Sequence, residues 1–542
     1  MIKKWKKAST VALGLTLSAS LVACGSNDSG DKTAASASPS AAPAKQEPVK
    51  IDWLGYDSNA QVENPDTNPV VKLVQDKFNV KFNLWYADAQ KWDETLNMRF
   101  AAGEMPDFMK ISNIQTLPKL ITQNVAAPID EALVRKVAPN YAKYIDSVNK
   151  NAWDFGKVNG KLYALPGTNP RSMYPTVIVW RQDWLSKVGI TKTPETLTEV
   201  EDALTKFRNN DPDGNGKKDT YGMSDFAIPI IMGAFGRPAF DDVKAAAKEP
   251  ARALMPMLKD GKVVTAATQP EMREALDVLS KWYKAGLIDP EFITSENTTG
   301  YWADSQAFYN NKIGLTGKGM FYHWRNVLEP NNPADTLGGQ YVNFNKSQPN
   351  GTIAFGKAPT GPKGASGAPQ WATYANSYIF TTKGAKDPKV VEATLKMIDA
   401  TFTDYDYFLT VTQGIKDQDW KLNGEQFVNM DKDPAKNVNA KGWNVFNPTN
   451  GGFSQKRDKF LFDFAEKNVK TKGYEPLALP ATNAFAKSSN ALAKSTIEAY
   501  FKIITGELPI DAFDEYVKKY YANGGTEVEK EWTEAYNQML GK

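Results

Sequence analysis

The chain has 542 residues, enough for two to four folding units at roughly 150 residues each, which excludes a single small module. Hydrophobic residues make up 42% and charged residues 23%, near the averages for water-soluble folds, so neither wholesale disorder nor a multi-span membrane protein fits. The formal charge is +3, but Lys3, Lys4, Lys6 and Lys7 all lie in the first seven residues, and the near-neutral remainder lacks the basic surplus that would make nucleic acid a partner.

Residues 1–23 place a basic stretch before an apolar run that starts at Val11 and ends in small residues. This is the pattern of a secretory signal, shorter than the roughly 20 helical residues needed to span a bilayer. Leu21-Val22-Ala23-Cys24 resembles the lipobox of bacterial lipoproteins. The resemblance implies that Cys24 is acylated and becomes the first mature residue, holding the protein by a lipid anchor on the extracellular face of the cell membrane. Residues 24–48 are rich in Ser, Ala, Gly and Pro, and such a segment buries too little apolar surface to offset the entropy of ordering it. It reads as a tether, with the folded body starting at Val49.

Cys24 is the sole cysteine and His323 the sole histidine. That excludes an intramolecular disulfide, a CxxC redox pair and a zinc site built from several Cys or His ligands. His323 sits in GMFYHWRN with no nucleophile elbow nearby, so it reads as a hydrogen-bonded or cleft-wall histidine rather than a triad base.

Within the body, 49–56 alternates as a strand, and 68–78 reads as a helix with Asn68 as N-cap and Pro69 at its first position. A strand over 80–86, a helix over 91–103 closed by Gly103, and a strand over 105–111 follow. This βαβαβ series predicts a mostly parallel sheet covered by helices, with ligand bound beyond the carboxyl ends of the strands. It points to Trp53–Tyr56, Trp85, Tyr86, Ser112 and Asn113.

Further on, Asp211-Pro212-Asp213-Gly214-Asn215-Gly216-Lys217-Lys218-Asp219 has the spacing of an EF-hand calcium loop. Side-chain oxygens come from Asp211, Asp213, Asn215 and Asp219, a backbone carbonyl from Lys217, and Gly216 makes the sharp bend. Position 12, normally a bidentate Glu, is Gly222, and no exit helix is evident. A lone loop with a missing ligand reads as a structural calcium site; the bland alternative is an Asn/Asp/Gly turn without metal.

The ordered motifs AAGEMPD (101–107), NGKLYALPG (159–167), VWRQDWLSKVGITKTPETLTEV (179–200), WYKAGLIDPEF (282–292), KAPTGPKG (357–364) and TVTQGIKDQDW (410–420), together with the carboxyl-terminal helices, resemble the extracellular solute-binding lipoproteins of bacterial ABC importers, family 1, in their long carbohydrate-oriented branch. The resemblance implies an α/β, two-lobed fold of the periplasmic-binding-protein type II, with the ligand cleft between lobes joined by hinge crossings. One lobe would hold 49–167 plus about 376–430, the other 168–372 plus about 431–542. It implies a monomer without enzymatic activity that closes on a carbohydrate and delivers it to membrane permease subunits. A separate cytoplasmic ATPase would drive uptake, since this chain has no P-loop.

A sugar ring offers an apolar C–H face and a rim of hydroxyls, so its receptor needs flat aromatic walls and in-plane polar groups. Position in the expected fold singles out Trp53, Tyr56, Trp85, Tyr86, Trp324, Arg325, Trp371 and Tyr374 as ligand residues, with Tyr174, Trp302, Trp420 and Trp443 behind them. Trp180, Arg181, Asp183 and Trp184 open a helix and read as structural. The planar fork of Arg325 would suit the carboxylate of a uronic-acid-containing oligosaccharide. Two other readings compete: the same fold binding a peptide or another polar solute, or sensing it, and a secreted polysaccharide hydrolase using a carboxylate pair.

Overall fold

The structure is a computed structural model that describes residues 47–540 except 56–60, 89–90, 112–113, 149–151, 243–249, 294–304, 432–437, 439, 448–450, 478 and 481. The signal segment, Cys24 and residues 24–46 of the tether lie outside the described residues, as do Tyr56, Ser112, Asn113 and Trp302.

Val49–Leu54 (β1), Pro69–Phe78 (α1), Val80–Leu84 (β2), Trp92–Ala101 (α2) and Phe108–Ile111 (β3) form the expected series. The Asn68 side chain accepts from the backbone N–H of Val70 and Val71 at 3.0 and 3.1 Å, satisfying two of the orphan donors of α1. Pro69 needs no donor there, and Asn79 ends the helix in the left-handed region. Ala164–Thr168 (β4) completes this part of the chain, and Ile178–Arg181 (β5) opens another.

Leu197–Asn209 (α3) starts with a capping box in which Thr196 accepts from Glu199 N and Glu199 accepts from Thr196 N. Tyr221–Met223 (β6), Ile313–Thr316 (β7) and Ile353–Gly356 (β8) follow, then Tyr374–Phe380 (β9). Among the later elements are the hairpin Trp420–Asn423 (β10) and Gln426–Asn429 (β11), and the helices Lys459–Asn468 (α4), Asn483–Thr505 (α5), Ala512–Tyr520 (α6) and Thr526–Met539 (α7).

The strands form two main sheets, ordered β2-β1-β3-β9-β4 and β8-β5-β7-β6. Most strands of each sheet run one way, with one reversed strand in each: β9 runs antiparallel to β3 and β4, and β5 runs antiparallel to β7 and β8. The reversal has a topological cause. Strand β9 brings the chain back from the second sheet, so it enters the first from the opposite end. Each sheet is buried on both faces, as helix-covered sheets are. In the first, Ile51, Trp53, Phe108, Leu165, Tyr378 and Phe380 join one core while Leu54, Met109, Ile111, Ala164 and Ile379 join another. In the second, Trp180, Met223 and Leu315 pack with α3, α5 and α6, while Val179, Ile313, Trp324 and Phe464 pack on the other face.

The chain passes between the sheets three times: from β4 to β5, from β8 to β9, and after Phe446, which belongs to the first core, toward Phe464 in the second. The first two passages are laced together, with Asn169 N donating to Thr373 O at 2.7 Å and Thr176 N to Pro369 O at 2.8 Å. No described helix is long and apolar enough to cross a membrane.

Candidate functional site

Strand direction places the passages. Thr168, at the end of β4, pairs with Tyr374 at the start of β9, so both passages leave the first sheet at the edge where β1, β2 and β3 end. In the second sheet β6 and β7 are parallel and end at Met223 and Thr316, the edge at which the antiparallel β5 begins. The carboxyl ends of the parallel strands in both sheets therefore face the passages, the position where open α/β sheets bind ligands.

That edge of the second sheet carries a charged and aromatic cluster. Arg171, 41% exposed, donates from Nη2 to Asp458 Oδ2 at 2.8 Å, and its guanidinium lies 5.1 Å from the centre of the Tyr322 ring. Arg457 grips the same carboxylate through both arms of its fork, Nε to Oδ1 at 2.7 Å and Nη2 to Oδ2 at 2.9 Å. Burial acts to raise the Asp458 pKa, but Arg457 and then Arg171 outweigh it and hold the carboxyl well below the usual range.

His323 accepts from Met320 N at its Nδ1, 3.1 Å away, a close approach that Gly319 permits with φ +96° and no side chain. Burial, and behind it Arg171 and Lys318, lower the His323 pKa to about 4, so the imidazole is neutral at pH 7. Lys318 lies 4.1 Å from the Phe226 ring centre and 3.9 Å from Asp242. At the return passage, Thr373 N donates to Glu475 Oε1 at 2.7 Å.

Several residues chosen from the sequence sit elsewhere than expected. Trp53 is 1% exposed, its ring 4.8 Å from that of Phe108 and its Nε1 donating to Val445 O at 2.9 Å, so it is a core residue and not a cleft wall. Trp324 is also buried, its Nε1 donating to Lys318 O at 2.7 Å. The fork of Arg325 is taken internally: Nη1 donates to Asp335 Oδ2 at 2.7 Å and Nη2 to Oδ1 at 2.5 Å, leaving no free face for a ligand carboxylate. Trp420 and Trp443 are buried.

Other candidates keep accessible surface. Tyr174 is half-buried at the first passage, edge-on to Phe321 at 5.2 Å. Trp371 is half-buried in the return passage, and among the described residues no other ring stacks on it. Tyr374 is placed by its backbone pairing alone. Trp85 and Tyr86, after β2, line a cavity of about 430 Å³ with Gln61, Asn83, Arg99 and Glu104, and Arg99 lies 4.5 Å over the Trp85 ring. A roomier cavity of about 1010 Å³ takes one wall from Pro118, Asp154, Lys157 and Asn159 and the other from Pro480, Thr482, Asn483 and α7, including Glu534.

Arg171, Tyr322, Arg457, Asp458 and Glu475 were missed from sequence. For Arg171 a signal existed: Asn169-Pro170-Arg171 directly follows β4, the segment expected to make the first crossing.

The 211–219 loop folds around its first aspartate. Asp211 Oδ1 accepts from Gly214 N and Asn215 N at 3.2 and 3.1 Å, and Oδ2 from Gly216 N at 2.9 Å, so the Gly216 amide first among its partners lowers the Asp211 pKa. The Asn215 amide donates to Asp213 at 2.8 Å and to Asp219 at 3.2 Å, linking those two carboxylates. Burial, and then the neighbouring Asp211, raise the Asp213 pKa, the mark of like charges crowded together. An all-oxygen, carboxylate-rich donor set of this kind suits a hard divalent cation. As the side chains stand, they do not form a closed metal cluster: no group of three or more His, Cys, Asp or Glu is disposed to hold an ion among the described residues. Asn215 turns its amide nitrogen inward, and a half-turn of that amide presents the oxygen a cation needs.

No protein-family model matches the sequence. The chain is 24% identical over 559 residues to the polygalacturonan/rhamnogalacturonan-binding protein YtcQ of Bacillus subtilis, covering 99% of this chain and 100% of that protein. It is 22% identical over 484 residues to lipoprotein LipO of the same organism, covering 88% and 90%. Its fold matches an HMO-binding, ABC-transporter-associated solute-binding protein of Bifidobacterium longum infantis, with TM-score 0.66 at 15% identity over 91% of this chain and 99% of the other. It also matches an EF-hand mutant of the Streptococcus pneumoniae substrate-binding protein FusA in complex with fructo-nystose, with TM-score 0.59 at 17% identity over the same shares. With two main sheets, each packed on both faces, and three passages between them, the chain has relatives along its full length in lipoprotein LipO and YtcQ, and it shares the two-lobed fold of the solute-binding proteins.

Proposed function

We propose that this protein is the membrane-anchored receptor of an ABC importer, binding an oligosaccharide between its lobes and handing it on unchanged. The observation that carries the reading is Trp371, a flat, partly exposed ring with no described ring stacked on it. It lies in the passage that joins the two sheets, within a segment that also holds Thr373 and is bonded through its backbone to Asn169 and Thr176 of the first passage. Full-length similarity to a polygalacturonan/rhamnogalacturonan-binding protein supports a carbohydrate as the cargo.

The lobes of this proposal are 49–168 with 374–446, and 169–373 with 447–540. The last passage falls after Phe446 because Trp443, Val445 and Phe446 pack in the first core. Ligand bridging both lobes stabilises the closed state by its differential affinity for that state and by no more. Acylated Cys24 would keep the body at the outer membrane face beside its permease subunits, and calcium would brace the 211–219 loop away from the ligand. When bound there, the ion neutralises the crowded carboxylates; Asp211, Asp213, Asn215, Asp219 and the Lys217 carbonyl would hold it.

Calorimetry with neutral and acidic oligosaccharides and with peptides of matching length tests the reading. A sugar should titrate and a peptide should not; peptide binding alone would assign the cleft to another cargo. Unchanged oligosaccharide after prolonged incubation is expected, and shortened products would make the protein a hydrolase.

A further inference from the structure

The sequence offered Arg325 as the group that would read a ligand carboxylate, and Asp335 occupies it on both arms. The cluster at the first passage holds another arginine in a different condition. Arg171 gives a single hydrogen bond, from Nη2, to a carboxylate whose two oxygens are already gripped by the Arg457 fork. Two guanidinium groups and one carboxylate leave this triad with a net positive charge. The Nε and Nη1 donors of Arg171 have no partner among the described residues, and the side chain remains 41% exposed.

Its plane is nonetheless fixed, by the Tyr322 ring 5.1 Å beneath and by Asp458 at one corner. A pre-oriented guanidinium with one open edge is what bidentate recognition of a carboxylate requires.

On the reading of this chain as a carbohydrate receptor, we propose that Arg171, seated on Tyr322 and tethered by Asp458, is the specificity-determining residue for an acidic sugar, its remaining N–H donors, among them the second hydrogen of Nη2, donating to the carboxylate of a uronate unit. The half-buried ring of Tyr174, three residues on in the same passage, would lie beside that unit.

The test compares trigalacturonate with its methyl ester, which keeps the rings and hydroxyls but removes the charge, by calorimetry on the whole protein. The wild type should prefer the acid by about ten-fold or more, the scale of a charge-assisted pair. That preference should shrink with added salt while the ester's affinity stays level. In Arg171→Gln the ratio of the two affinities should fall toward one, and Arg171→Lys should restore part of it, as charge without the fork. Should Arg171→Gln not fold, the wild-type ratio and its salt dependence still decide. Equal wild-type affinities, or a variant that weakens both ligands alike, overturn the Arg171 assignment while the receptor reading stands. Failure of every oligosaccharide to bind overturns both.

Discussion

Trp371 and Trp53 show how one residue type divides between recognition and packing. A half-buried ring without an aromatic partner is free to stack on a sugar face. Trp371→Ala should therefore weaken oligosaccharide binding by about 1–3 kcal/mol in a calorimetric titration while the melting temperature hardly moves. Arg325 behaves in the opposite way. Side-chain exposures of 9% and 14% put the Arg325–Asp335 pair out of solvent, so Arg325→Ala strands a carboxylate and should cost about 3 kcal/mol of stability by denaturant melt. Ligand affinity should be nearly unaltered.

His323 gives the pH dependence. Its pKa falls from 6.5 to about 4 on folding, so between those values the unfolded chain binds the proton that the folded chain refuses. This contribution is fully present above pH 6.5 and is lost as pH falls toward 4, by up to about 3 kcal/mol. His323→Gln should flatten the stability profile in that window alone; a variant whose profile parallels the wild type would contradict it. At this scale the sequence was only partly legible. Position along a strand showed that Trp53 and Trp324 would be near the passages, but both faces of each sheet are buried, and no alternation of residues tells a covered face from a cleft. The partner that takes up Arg325 lies ten residues away in an irregular loop, beyond any local rule.

Elements were read more surely, because their causes are local. Asn68-Pro69 announced its helix, and Asn68 caps it as expected. The 211–219 loop was legible in its spacing for the same reason. A cation bound at this oxygen-rich loop should stabilise the folded chain by mass action, on the order of 2.7 kcal/mol at a hundred-fold excess over Kd. Chelation should lower the melting temperature by a few degrees with ligand affinity nearly constant, and a protein melting identically with and without calcium would exclude an ion there. What the elements did not give was sheet direction. The βαβ series at the amino end is parallel as read, but β9 returns from the second sheet, and only the long-range path of the chain reverses it.

The molecule as a whole is two helix-covered sheets tied by three strands of passage, with charge and aromatic surface collected at the ties. The ordered motifs carried this architecture across the sequence, although the last passage is set by packing, with Trp443, Val445 and Phe446 closing the first core. Such a body has one function-bearing degree of freedom, the angle between its lobes, and a ligand touching both must reduce it. Small-angle X-ray scattering of the protein with and without a saturating bound oligosaccharide measures that angle directly. The radius of gyration should fall when the sugar is added; a value unchanged at full occupancy would mean that capture does not proceed by closure.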